Sequence, residues 1–540
     1  MTNRADHVAA LTGSTFDAVI VGGGINGAVS AAALAAHGAR VALIDSRDFA
    51  GFTSQHSSNL VWGGIKYMEN FEFGLVAGLC KSRNELMRAF PSTIREIRFL
   101  TTVDKGFRHS PRMLWMGAWL YWLFGRGFTQ PPRLRSAAGI SADEPLVDVS
   151  NSPGGIEYSD AYLADNDARF VWNFIRSAMD SGCVAANYVR CTGAAREAGG
   201  RWRLDALDTV SGQPLEIRAH VYVNATGAFA DRLNVDAGVT TSHRHLLSKG
   251  IHLLVPRLSA ERRVLAFFAD DGRLFFAIPM ASCTCIGTTD TRVDRPDTAV
   301  TDEDRDFVLS NINARLNLPR PLTRDDIIAE RCGVRPLVVE RGDGAGSDFL
   351  QLSRKHVVEV DREQAHISIF GGKLTDCLNV GEEICAEARA LGVDLVRPAA
   401  PWYGEPGEDV RRQFDARARS LQLHGLAAED TGERVTDRFW RRYGARAEQI
   451  LDRIETDRRS LDPVIAGTGL RWCEVDYMRE HEMIVRLDDA IRRRSKLAMV
   501  VGAETLRAAP GIGAMCDHLF GDDAPRRHRD YFESGGARSD

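Results

Sequence analysis

The chain is 540 residues long, 44 % hydrophobic and 26 % charged, with a formal net charge of -5. That length supplies about two to four domains with a sizeable buried core, and the near-balanced charge leaves no footprint for a nucleic-acid partner, so none is expected. Ten cysteines without repeated metal-ligand spacing give no metal site and read as reduced thiols, with Cys283 and Cys285 sharing one face of a strand.

In chain order, the opening MTNRADHVAALTGST lacks the apolar core of an export signal, which with free thiols points to the cytoplasm. Phe16 to Val21 is a short apolar run, expected as a strand buried on both faces. It runs into Gly22, Gly24 and Gly27. In this spacing the first glycine permits a tight turn, the second lets backbone approach a pyrophosphate, and the third lets helix pack closely on strand. The alanine-rich helix that follows aims its N-terminus at the pyrophosphate. Val41 to Ile44 makes the second strand, ending at Asp45, where a carboxylate accepts from a ribose 2′-OH. These residues specify a dinucleotide and leave FAD and NAD both open.

The polar, glycine-containing stretch Thr53 to Met68 suits a loop against the cofactor. Arg112 to Arg126 encloses Met113 to Phe124, a run free of charge that contains Trp115, Trp119 and Trp122. A bilayer span takes about 20 residues, so this segment is too short to cross, but tryptophan and tyrosine with basic flanks suit the membrane interface. His220 to Asn224 is expected as a strand leading through Ala225, Thr226 and Gly227 into a helix. Residues 251–291 hold short alternating runs expected as an antiparallel sheet. HISIF leads through Gly371 and Gly372 to a helix near Leu374, whose N-terminus could stabilise negative charge on a reduced flavin. Three strand-turn-helix elements around one site favour FAD. Beyond Pro398 apolar residues fall at helical spacing among charges, so a helical tail is expected, its arginines forming a solvated face.

The segments VIVGGGINGA, GGIKYMENFEFGLV, EYSDAYLADNDARFV, VNATG, KGIHLLVP, IGTTDT, GVRPL, FGGKLT and VRLDDAIRRRSK, in this order, make the chain similar to the FAD-dependent, aerobic glycerol-3-phosphate dehydrogenases, within the D-amino-acid-oxidase-like flavoproteins. The resemblance implies an α/β fold: a Rossmann-like FAD-binding domain, an antiparallel-sheet substrate domain and a helical C-terminal domain. The expected boundaries are 1–80, 151–245 and 355–398 for the discontinuous FAD domain, 81–150 and 246–354 for the cap, and 399–540 for the helices. At the cofactor the reading expects Gly22, Gly24, Asn26, Gly27, Asp45, Thr53, Ser54, Ser57, Ser58, Gly63, Gly64, Val189, Ala225, Thr226, Gly227, Gly372, Lys373, Leu374 and Thr375. Arg335, Arg354, Lys66, Tyr67 and Lys373 are expected at the substrate, with His252, Lys373 and Arg335 carrying catalysis.

The implied reaction is oxidation of sn-glycerol 3-phosphate by hydride transfer to flavin, with electrons passed to a membrane quinone by an enzyme lying on the cytoplasmic face; some relatives use O₂, and a homodimer is left open. Departures from the family pattern bear on the substrate. Asn59, Trp62 and Lys66 stand where Lys, His and Arg are common, and Asp376 and Leu378 where Thr and Arg are common. Another phosphorylated polyol, an amine or amino acid, and a non-catalytic flavin-binding membrane protein are the alternatives.

Overall fold

The computed structural model describes residues 4–269, 273–342, 355–428 and 431–533. Arg354, expected at the substrate, lies outside them. The first sheet runs Val357–Asp361, His366–Phe370, Pro214–Asn224, Thr15–Val21, Val41–Ile44, Val184–Ala186, with Val189–Arg196 and Trp202–Asp208 continuing from Pro214–Asn224. Its centre is parallel, Val21 lying opposite both Asn224 and Ile44. Alternation along the first strand explains its unbroken apolar sequence. Ala18 and Ile20 enter the core beneath the helix Ile25–Ala36, while Val19 and Val21 enter a second core on the opposite face.

The second sheet has the order Thr291–Val293, His243–Pro256, Cys283–Gly287, Leu274–Met280, Arg263–Phe268, Ile94–Val103, Gly154–Leu163, Leu60–Val61. Ala329–Glu340 pairs along His243–Pro256, and Arg133–Arg135 along Gly154–Leu163. The expected antiparallel strands of 251–291 are present. However, Leu60–Val61 and Gly154–Leu163, which the sequence reading puts in the nucleotide domain, are hydrogen-bonded into this second sheet. The chain crosses between sheets inside both stretches, and strand periodicity carries no mark of which sheet a strand joins.

The two faces of this sheet have different fates. Ile251, Leu253, Phe275, Ala277 and Ile286 pack into a core closed by the helix Asp302–Asn313. Opposite-facing positions form the roof of the site described below.

The C-terminal region is helical, but its arginines are not a solvated face. Arg438, Arg441, Arg442, Arg493 and Arg494 are buried. Arg442 Nε donates to Asp165 at 2.6 Å, Arg438 to Glu474 at 2.9 Å, and Arg494 Nη1 to Asp48 at 2.8 Å, with Arg494 lying over the Trp172 ring at 4.0 Å. Asp48 and Asp165 belong to the part of the chain that carries the first sheet, so these ion pairs fasten the helical tail to it. A buried cation is tolerable only when so matched, and two of the matching acids, Asp165 and Asp48, lie hundreds of residues away.

Candidate active site

The three strand-turn-helix elements meet around a cavity of about 550 Å³ lined by Gly22, Gly24, Asn26, Asp45, Thr53, Ser54, Ala225, Thr226, Gly227 and Gly372 among others. The backbone demands glycine here. Gly22 has φ +107, and a Cβ on it would lie 2.6 Å from the Ala225 carbonyl oxygen; a Cβ on Gly27 would lie 1.8 Å from the Gly22 oxygen. The N-terminus of Ile25–Ala36 thus opens onto the cavity. Asn26 Nδ2 donates to the Gly371 carbonyl at 2.9 Å, tying the first and last elements together, while its buried Oδ1 has no hydrogen-bond partner among the described residues. A glycine cradle, a helix N-terminus and an orphaned acceptor suit the pyrophosphate and ribityl hydroxyls of FAD.

Asp45 also lines the cavity, yet it works locally as well. Oδ2 accepts from the Gly23 N–H at 2.7 Å and Oδ1 from the Arg47 N–H at 2.9 Å; burial pushes its pKa up to about 6 against these bonds. Ser54 Oγ accepts from Ile25 N–H at 3.0 Å, and Thr53 donates to the Val334 carbonyl at 2.7 Å, so this loop braces the helix start against the second sheet.

Other expected cofactor residues do not line this cavity. Val189 is buried and its N–H bonds the Asp45 carbonyl at 2.7 Å; its neighbour Arg190 faces the cavity instead. Ser57 N–H donates to Asp167 at 2.8 Å, Gly63 N–H to Asp160 at 3.2 Å, and Thr375 Oγ1 to the Trp62 carbonyl at 3.2 Å. Gly64 turns the chain at φ +81 ahead of Tyr67, and Leu374 packs against the first core. Ser58 also lies off that lining.

The sheet roof supplies the polar chemistry. Cross-strand register aligns Phe276, Gly287, His252 and Arg331 in one row, Gly250 and Gly333 in the next, and Ser248 and Arg335 in the third. Directly opposed residues share a face, so all of these point one way. Gly250 is required for space: its Cβ would lie 2.2 Å from Arg335 Nη2, so the guanidinium lies across Gly250 towards His252. Thr288 Oγ1 accepts from Arg335 at 2.7 Å and the Thr289 carbonyl at 3.1 Å, with Asp290 at 3.4 Å. His252 is buried, and neither ring nitrogen has a hydrogen-bond partner among the described residues. Burial, then the charges of Arg335 and Arg331, hold its pKa well below the usual 6.5.

Lys373 stacks its ammonium 4.0 Å from the Tyr67 ring centroid. Tyr67 in turn lies 6.1 Å from Trp62, and Trp62 meets Phe276 at 6.4 Å, so an aromatic wall runs from the lysine to the His252 row. Lys66 sits half-buried on the same turn, Ile65–Asn70.

Two of the departures acquire a physical account. Asn59 Oδ1 accepts from Arg331 Nη1 at 2.7 Å, so a cation reaches the position from another strand. Sequence reasoning missed Arg331, although 331, 333 and 335 alternate onto one face. The carboxylate of Asp376 is already matched: His356 Nδ1 lies 2.6 Å from it and His356 Nε2 2.8 Å from Glu383. Against burial, these two acids raise His356 to about 9, so it stays charged through neutral pH and balances Asp376. Nothing in the structure explains Leu378 beyond its place in the core.

Comparison with known proteins agrees with this geometry. Residues 17–358 match the family model FAD dependent oxidoreductase, and 408–527 the model C-terminal domain of alpha-glycerophosphate oxidase. The glycerol-3-phosphate dehydrogenase of Pseudomonas tolaasii is 30% identical over 91% of this chain and 93% of its own. The aerobic glycerol-3-phosphate dehydrogenase of Escherichia coli K12 is 30% identical over 91% and 95%. In fold, the chain is similar to the glycerol-3-phosphate dehydrogenase of Bacillus halodurans complexed with FAD, with a TM-score of 0.74, 24% identity, and 99% and 97% of the two chains covered. The protein is thus an enzyme with FAD as its cofactor, and it belongs to the glycerol-3-phosphate dehydrogenase family of FAD-dependent oxidoreductases.

Proposed function

We propose that this enzyme oxidises sn-glycerol 3-phosphate at C2 to dihydroxyacetone phosphate and passes the electrons to a membrane quinone. FAD, when bound, supplies the acceptor for the hydride that leaves C2. The observation that carries the reading is the placement of Arg335 and His252 on one sheet face, the first able to grip a phosphate with its planar fork and the second buried with both nitrogens unpartnered among the described residues. His252 accepts the C2 hydroxyl proton, since its depressed pKa keeps it neutral. Lys373, held on Tyr67, adds a second cation to orient the substrate, and Trp62 with Phe276 excludes water. Anaerobic mixing of the yellow holoenzyme with glycerol 3-phosphate is expected to bleach the flavin absorbance without any added acceptor. Persistence of the oxidised spectrum at saturating substrate would refute the substrate assignment.

Support for the membrane acceptor comes from the helix Pro111–Phe124. Its inward side buries Ala118 and Tyr121, and the Tyr121 hydroxyl donates to Asp160 at 2.6 Å. Its outer side presents Met113, Met116, Leu120 and Leu123, with Met116 61% and Leu123 59% exposed, and Phe71, 79% exposed, stands alongside. Trp115, Trp119 and Trp122 stack edge-on between these two sides. Among the described residues no helix is long and apolar enough to cross a membrane, so the helix would lie in the interface of the cytoplasmic leaflet. The variant carrying Met116→Glu and Leu123→Glu is expected to shift from pellet to supernatant when sedimented with anionic lipid vesicles, with dye-linked activity largely retained. Unchanged sedimentation would mean that this face does not meet lipid.

A further inference from the structure

A cavity of about 1260 Å³ opens where the first sheet, the second sheet and the C-terminal helices meet, adjoining the cofactor cavity along Gly51, Phe52, Thr53, Ala228 and Phe229. Its C-terminal wall carries Arg486, Arg492 and Arg527, with Arg493, Arg526, Asp488, Asp530 and Glu533 alongside. Neighbouring arginines are well matched. Arg493 is held by Asp48, Asp488 and Asp489, and Arg305 by both oxygens of Glu330 at 2.6 and 2.9 Å.

The three arginines of the C-terminal wall differ. Arg486 and Arg492 form no ion pair among the described residues, and Arg527 has only Asp523 at 3.8 Å, a residue with a half-exposed side chain. Neutral groups set their positions without cancelling their charge: Arg486 rests 5.1 Å over the Tyr188 ring, and Arg492 donates to the Glu330 carbonyl at 3.1 Å beside His56 Nδ1 at 3.4 Å. Arg47 reaches the same cavity from the nucleotide domain, paired only with the exposed Asp297 at 3.5 Å. Burial holds Arg492 and Arg527 below the ordinary arginine range, with neighbouring guanidinium groups acting in the same direction and Asp488 and Asp523 only partly opposing it. Arg486 is exposed and Arg492 and Arg527 are partly buried, and none of the three has a carboxylate within 3.5 Å among the described residues, although Asp488, Asp530 and Glu533 line the same cavity.

We propose that this cavity is a second ligand site, apart from the cofactor cradle and the His252 face, which takes a small polyanion bearing phosphate or carboxylate groups. Several planar guanidinium forks converging from two domains can meet two or more such groups at once. A bound polyanion would tie the C-terminal helices to the nucleotide domain, so it should raise Tm as well as bind.

The test is calorimetric titration of the holoenzyme at low ionic strength with inorganic pyrophosphate, and with citrate in a parallel arm. One-to-one binding and a higher Tm are expected. The variant carrying Arg486→Ala and Arg527→Ala, at the more open rim, should bind about 10-fold more weakly or worse, as the loss of charge-assisted hydrogen bonds predicts, with FAD content unchanged. Arg335→Ala should leave the affinity as it is. Binding of pyrophosphate with citrate silent identifies a phosphorylated ligand, and the reverse a polycarboxylate; either sustains the site. Failure of both anions to bind, unchanged affinity in the double variant, or loss of binding in Arg335→Ala overturns it.

Discussion

Replacing His252 by glutamine is expected to lower kcat by about 10²- to 10⁴-fold, the usual contribution of a positioned proton acceptor, with little change in KM and normal flavin content. The size follows from the environment. The ring is buried, has no partner for either nitrogen among the described residues, and shares its sheet face with Arg331 and Arg335. Its pKa is depressed, so the neutral, proton-accepting form predominates at pH 7 and persists as pH falls through 6.5. The acid limb of kcat/KM, which reports the free enzyme, should therefore lie below 6.5. Arg335 is one cause of the depression, so Arg335→Ala should move that limb upward, towards 6.5. Stopped-flow flavin bleaching across pH measures both effects. A wild-type limb at or above 6.5, or a glutamine variant that bleaches at the wild-type rate, would remove His252 from this role.

Arg335→Ala is expected to reduce kcat/KM for glycerol 3-phosphate about 10- to 100-fold, corresponding to the roughly 1.5–3 kcal/mol of a charge-assisted hydrogen bond retained in the transition state. Arg335→Lys should recover only part of this, because a point charge replaces a two-pronged donor. Arg335 also bonds Thr288 and Thr289, so a loss of activity could come from the loosened loop instead. Glycerol, which lacks the phosphate, separates the two. If Arg335 grips phosphate, its removal should leave the slow reduction by glycerol nearly unaltered. Equal losses with both substrates would assign Arg335 to holding the loop rather than the phosphate.

The cofactor cradle was legible in the sequence because its determinants are local. A buried strand, a glycine spacing set by turn geometry and close packing, and the helix start all lie between Thr15 and Ala36, and Ala225 to Gly227 and Gly371 to Gly372 repeat the pattern. Strand alternation likewise marked residues 251–291 as an antiparallel sheet. Assignment of strands to sheets was not legible, since Leu60–Val61 and Gly154–Leu163 look like any half-buried strands until their partners are known.

Charge compensation was decided only by the tertiary structure. Asn59 meets Arg331 across 272 positions, and Arg494 meets Asp48 across 446. A lone sequence therefore showed a missing cation in the cofactor loop and a solvated basic tail, where the fold holds a replaced cation and buried ion pairs. Periodicity is written into neighbouring residues by the repeat of the backbone. An ion pair is written into two distant places at once, and its strength depends on a separation and a dielectric that exist only after the chain has folded.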